Sequence, residues 1–194
     1  MNRPLITSLA LTTVLLLGAC SQQDAPSAAN PGKQEVSVQT VAAQAKGFTV
    51  GSVMSAHTVY VFFDPQCPHC GHLWQASIPL QTKVKFVWIP VAWINPSSLP
   101  QGSALLTAVH PAELMTSHEA SLLAGTGGIA APASVSPEIE QAIKANTKLL
   151  NSFGAESVPF VITKDAQTGQ TVSRNGALGT PELAVFAGVG ATAP

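Results

Sequence analysis

The chain has 194 residues, 46% of them hydrophobic and 10% charged, with a net charge of −1 and only three cysteines, Cys20, Cys67 and Cys70. It carries no basic run or stripe, so no nucleic acid is expected as a partner. Three cysteines also exclude a framework of structural disulfides.

Met1-Asn2-Arg3 is a short basic start, followed by an uncharged apolar run of thirteen residues from Leu5 to Leu17. That run is too short to cross a bilayer and has the length of a signal-peptide core. It ends in Leu17-Gly18-Ala19-Cys20, which resembles the bacterial lipobox. The resemblance implies a signal peptide at 1–19 and lipidation of Cys20, which would anchor an exported protein to a membrane. Ser21 after that cysteine resembles the sorting signal for the inner leaflet of the outer membrane. A polar Ser, Gln, Ala, Asn and Pro composition then predicts a flexible tether, so that residues 20–45 form the lipidated linker and 46–194 the folded domain. Without Arg3 the mature chain has eight basic and ten acidic residues, a net of −2.

The first predicted strand is Val59-Tyr60-Val61-Phe62-Phe63, apolar throughout and so buried on both faces. Asp64-Pro65 breaks it, and Cys67-Pro68 opens a helix, because proline suits the first helical position. Leu73, Trp74 and Ser77-Ile78 continue that helix to Pro79. A second buried strand runs from Val84 to Val91. Helices are expected over Ala104–Val109 and Ala112–Leu123, and a longer one starts at Ser136-Pro137-Glu138 and stops at Gly154. Phe160-Val161-Ile162 is a strand, with Thr171-Val172-Ser173 as its partner across the turn at 165–170. Thr180-Pro181-Glu182 begins a last short helix. The Gly125–Gly128 run follows no strand and is a loop, not a phosphate cradle.

Cys67 and Cys70 thus lie on a strand-to-helix turn, with Cys67 at the exposed helix start and Cys70 one turn inward. Their spacing suits a disulfide, and the unpaired N–H groups of the helix start stabilise a thiolate at Cys67. His69 between them can add a hydrogen bond or positive charge. A stabilised thiolate favours the dithiol and makes the disulfide a stronger oxidant. Asp64 is either a proton carrier for Cys70 or a turn residue that ends the strand. A copper or zinc role would use Cys67, Cys70, His69 and His72, with His57 upstream, but a closed site needs four ligands and no second CxxC exists. No metal or other cofactor is therefore expected. A non-catalytic binding module ranks below both, since both cysteines are present. His57, His110 and His118 read as surface or capping residues, and Trp74, Trp88 and Trp93 as core and groove wall.

The strand leading into FFDPQCPHC, the KVKFVWIPVAWINPSS segment, HPAELMTSHEAS and SVSPEIEQAIKANTKLLNSFGAESVPFVI together resemble the periplasmic Dsb thiol-disulfide proteins, in particular their DsbG/DsbC branch. The resemblance covers roughly residues 55 to 190. It implies an α/β thioredoxin fold, a central mixed sheet with a helical insertion between the second predicted strand and the strand after Val158-Pro159. It implies a cis Pro159, with Val158 and Pro159 binding an extended substrate beside a redox-active Cys67–Cys70 pair. It also implies cysteine-containing exported proteins as substrates and a membrane redox partner of the Dsb type. Two departures stand out. Only about twenty-five residues precede the first predicted strand after the tether, too few for the branch's dimerisation domain, so a monomer is expected. The Pro-His dipeptide and Val158 are similar to the oxidase, DsbA, so oxidation is favoured over isomerisation or reduction.

Overall fold

The computed structural model describes residues 33–190. Five strands form one mixed sheet in the order β1-β3-β2-β4-β5: β1 Phe48–Gly51, β2 Thr58–Phe63, β3 Lys85–Pro90, β4 Phe160–Lys164 and β5 Thr171–Asn175. β2 and β3 are parallel, with Val61 opposite Trp88, and every other pairing is antiparallel. Among the described residues the helices are α1 Val38–Gln44, α2 Pro68–Ser77, α3 Ser98–Thr107, α4 Pro111–Leu123, α5 Pro137–Ser152 and α6 Thr180–Phe186. A short 3-10 turn, Ile78–Leu80, follows α2 where Pro79 removes an amide donor.

β2 is central and apolar on both sides, and its alternation assigns the helices to opposite faces. Phe63 meets Trp88 edge to face at 5.5 Å, and Trp74 of α2 meets Trp88 at 5.2 Å. Phe62, one residue back, points the other way and meets Phe153 at the end of α5. Trp74, Trp88, Phe62, Phe63 and Phe153 are all buried. The strand therefore delivers its C-terminal end, and the turn after it, between two packed layers. The insertion between β3 and β4 is α3, α4 and α5, and α2 packs against α4.

The N-terminal side differs from expectation. Residues 33–45, assigned to the tether, lie on the domain. Gln34 N–H donates to Ser152 O at 2.7 Å, Ser37 caps α1 and Val41 is fully buried. Buried Asn146 then clamps the chain, accepting from Lys46 N–H and donating to the carbonyls of Lys46 and Pro90. β1 precedes the first predicted strand and pairs with β3. α3 begins at Ser98 rather than Ala104, because Pro100 sits within its first turn, where no amide donor is needed. The leader, Cys20 and Ser21 lie outside the described residues.

Candidate functional site

The end of β2 is shaped by Asp64, which is fully buried. Its Oδ1 accepts from Gln66 N–H at 2.8 Å and Ser98 Oγ at 2.7 Å. Its Oδ2 accepts from Trp93 N–H at 2.6 Å and Ile94 N–H at 2.9 Å. One side chain thus ties the β2 turn to the loop after β3 and to the start of α3. Its backbone carbonyl also accepts from Cys67 N–H, which sets the cysteine at the head of α2. Trp93 and Ile94 are held in that loop with 38% and 48% of their surface exposed, so Trp93 is a partly open wall beside the site and not core.

Cys67 is the N-cap residue of α2, with extended backbone (φ −101°, ψ 109°), and Pro68 occupies the first helical position. The expected open cap is in fact covered. Cys67 is only 4% exposed, and its Sγ donates to Val158 O at 3.3 Å, since the Val158–Pro159 loop lies over it. The Val158–Pro159 peptide bond is cis. Cys70, one turn further in, is fully buried, and both cysteines are free thiols.

The two thiols have opposite electrostatic surroundings. A hydrogen bond from the Cys70 thiol, aided by the backbone N–H groups of Cys70 and His69, lowers the Cys67 pKa to about 7. Burial and the nearby Asp64 charge oppose this and are outweighed. Cys70 is pushed well above an ordinary thiol, first by burial and then by its role as donor to Cys67. At neutral pH about half of Cys67 is therefore a reactive thiolate, beside a Cys70 that stays protonated. His69 contributes through its backbone; its ring is exposed and stands edge to face with the exposed His72 ring at 6.1 Å. Among the described residues no group of three or more His, Cys, Asp or Glu side chains has metal-site geometry.

Two neighbouring residues of α4 were not singled out as site residues from the sequence. His118, expected as a surface or capping residue, is fully buried. Its Nδ1 accepts from Ile129 N–H, so Nε2 carries the proton and donates to Pro65 O at 2.6 Å. It pins the turn before Cys67 to the loop after α4, and burial lowers its pKa. Glu119 is 1% exposed and lies against Gly71, the residue after Cys70. The sequence signal was available in part: Met115, His118 and Leu122 recur at helical spacing, with the charged residue adjacent.

No protein-family model matches the chain. The chain is 35% identical over 105 residues to the thiol:disulfide interchange protein DsbG of Escherichia coli, covering 53% of this chain and 42% of that protein. It is 28% identical over 141 residues to the DsbG protein of Pseudomonas aeruginosa, covering 71% and 54%. The chain thus spans about half the length of the curated relatives it matches. Among solved structures, a periplasmic thioredoxin-like protein from Salmonella enterica serovar Typhimurium aligns with a TM-score of 0.62 over 80% of this chain and 97% of that one, at 18% identity. The thiol-disulfide exchange protein alpha-DsbA2 of Wolbachia pipientis gives 0.60 over 78% and 92%, also at 18% identity. The chain thus has the thioredoxin fold of these solved structures and is similar in sequence to the thiol:disulfide interchange proteins DsbG over part of their length.

Proposed function

We propose that the chain is a periplasmic thiol:disulfide oxidoreductase that acts on cysteine-containing exported proteins and favours dithiol oxidation. The observation that carries the exchange chemistry is the asymmetry of the pair, Cys67 lowered to about 7 at a helix start and Cys70 buried and protonated behind it; the preference for oxidation rests on the Pro68-His69 dipeptide and Val158, which are similar to those of the oxidase. In the oxidising direction a substrate thiolate attacks Cys67 of the Cys67–Cys70 disulfide, and Cys70 leaves. A second substrate thiolate then attacks the first substrate sulfur and expels Cys67 as a thiolate, so the substrate loses two electrons and the pair gains them. A leaving thiol of low pKa departs faster, and a stabilised dithiol makes the disulfide a stronger oxidant. The backbone N–H of His69 adds to that stabilisation. Val158 and Pro159 face Cys67 and offer backbone groups to an extended substrate segment, with Trp93 and Ile94 as apolar neighbours.

Similarity to DsbG supports the second reading, isomerisation or reduction, including reduction of sulfenic acids. There Cys67 thiolate attacks the substrate sulfur and Cys70 resolves the mixed disulfide. Lipid on Cys20 would tether a monomer to the outer membrane, and a Dsb-type membrane partner would renew the pair. Among the described residues no helix is long and apolar enough to cross a membrane.

Alkylation of the reduced protein checks the assignment of the nucleophile. Iodoacetamide modifies Cys67 at a rate that rises through about pH 7 and then levels off, while Cys70 stays unmodified in the folded state. A midpoint near the ordinary thiol value, or preferential reaction of Cys70, would contradict it.

A further inference from the structure

Glu119 is a buried carboxyl whose two oxygens have no hydrogen-bond partner among the described residues. Such a group is costly in an apolar setting, and packing alone would be served by leucine or methionine. Its position is specific. Oε2 lies 2.7 Å from where a Cβ on Gly71 would stand, so the glycine leaves the space that the carboxyl fills, one residue from Cys70. Burial above all, and then Cys67, push its pKa up to about 9, so it is a neutral acid at pH 7. The titratable groups that act on it are Cys67 and Cys70 at α2, and His118 precedes it on α4. His69 and His72 of α2 turn their rings to solvent, and α3 and β1, which also pack on α4, carry no titratable side chain.

Cys70 needs a proton that its other neighbours do not supply. When a thiolate attacks Cys67 of the disulfide, the S–S bond breaks and Cys70 leaves with the electron pair into a fully buried site. The Asp64 oxygens are occupied by four donors, and the His118 N–H is held by Pro65 O. We propose that Glu119 is the proton donor for Cys70: the carboxylic acid beside Gly71 passes its proton to the departing Cys70 thiolate, directly or across one water. As a carboxylate it takes the proton back when Cys70 attacks and the disulfide re-forms. This deepens the proposed function and rests on it only in requiring a Cys67–Cys70 disulfide.

The test measures opening of the oxidised protein by reduced glutathione, in wild type and Glu119→Gln, from about pH 6 to pH 10. Taking the ratio of the two rates cancels the ionisation of glutathione. The wild type opens about tenfold faster or more at pH 6–7, and the ratio falls towards one above about pH 9, where Glu119 itself has lost its proton. Equal rates at every pH would overturn the inference, as would a ratio that stays constant with pH, the mark of altered packing alone. A protein that forms no Cys67–Cys70 disulfide would remove the proposed function and this inference with it. Should Glu119→Gln not fold, Gly71→Ala gives the same reading, because its Cβ displaces the carboxyl.

Discussion

Replacing Cys67 with serine abolishes disulfide exchange, whereas replacing Cys70 with serine leaves a protein that accumulates mixed disulfides. The difference follows from the two thiol environments. Only Cys67 is a thiolate near neutral pH, so an outer sulfur nucleophile and a good leaving group are lost together in Cys67→Ser. A serine hydroxyl offers neither, and the exchange rate falls by about a thousandfold or more. In Cys70→Ser the thiolate at Cys67 still attacks, and the bond it forms with a substrate sulfur has no buried thiol to resolve it. Non-reducing electrophoresis of the two variants after incubation with a disulfide-bonded peptide separates these outcomes. Equal activity of either variant and the wild type would refute the division of roles.

Replacing Asp64 with alanine unfolds the protein at a much lower temperature. The change strands the buried Ser98 hydroxyl and the partly buried N–H groups of Gln66, Trp93 and Ile94. Each stranded donor costs about 1–3 kcal/mol, and relaxation recovers part of the sum, so a loss of about 4 kcal/mol is expected. For a domain of this size that lowers Tm by about 8–16 °C. Asp64→Asn keeps one acceptor oxygen but aims an N–H₂ at two N–H groups, so it falls between wild type and alanine. The asparagine variant also separates the two roles considered for Asp64. Its charge raises the Cys67 pKa, so removing the charge lowers the alkylation midpoint and leaves exchange intact in the folded protein. If Asp64 carried protons for Cys70, Asp64→Asn would instead slow the exchange steps that involve Cys70. Thermal denaturation and the alkylation profile decide the matter together.

These expectations show which parts of the molecule were legible from sequence. The reactive turn was legible because each element of it is local. A run of β-branched and aromatic residues ends at Asp64-Pro65, and Pro68 marks the helix start immediately after Cys67. The β4–β5 hairpin and α5 were legible for the same reason, through a turn and a Ser136 cap. β1 and α1 were not, since four and seven residues carry too little period and owe their form to β3 and to Asn146. The roles of Asp64 and Glu119 were hidden because they depend on distant partners: amides 29 and 30 residues away in one case, and the empty side of Gly71 in the other. Helical spacing identified α4, yet it could not say that His118 would lie under the Pro65 turn and Glu119 beneath α2.

The reduction potential of the Cys67–Cys70 pair, measured by equilibration with glutathione, tests the central claim most directly. A Cys67 pKa of about 7 identifies the nucleophile, while the Pro68-His69 dipeptide and Val158, which resemble those of the oxidase, carry the proposed direction. The account predicts a potential near about −120 mV, in the range of dedicated oxidants; a value well below about −200 mV would contradict it and mark a reductant.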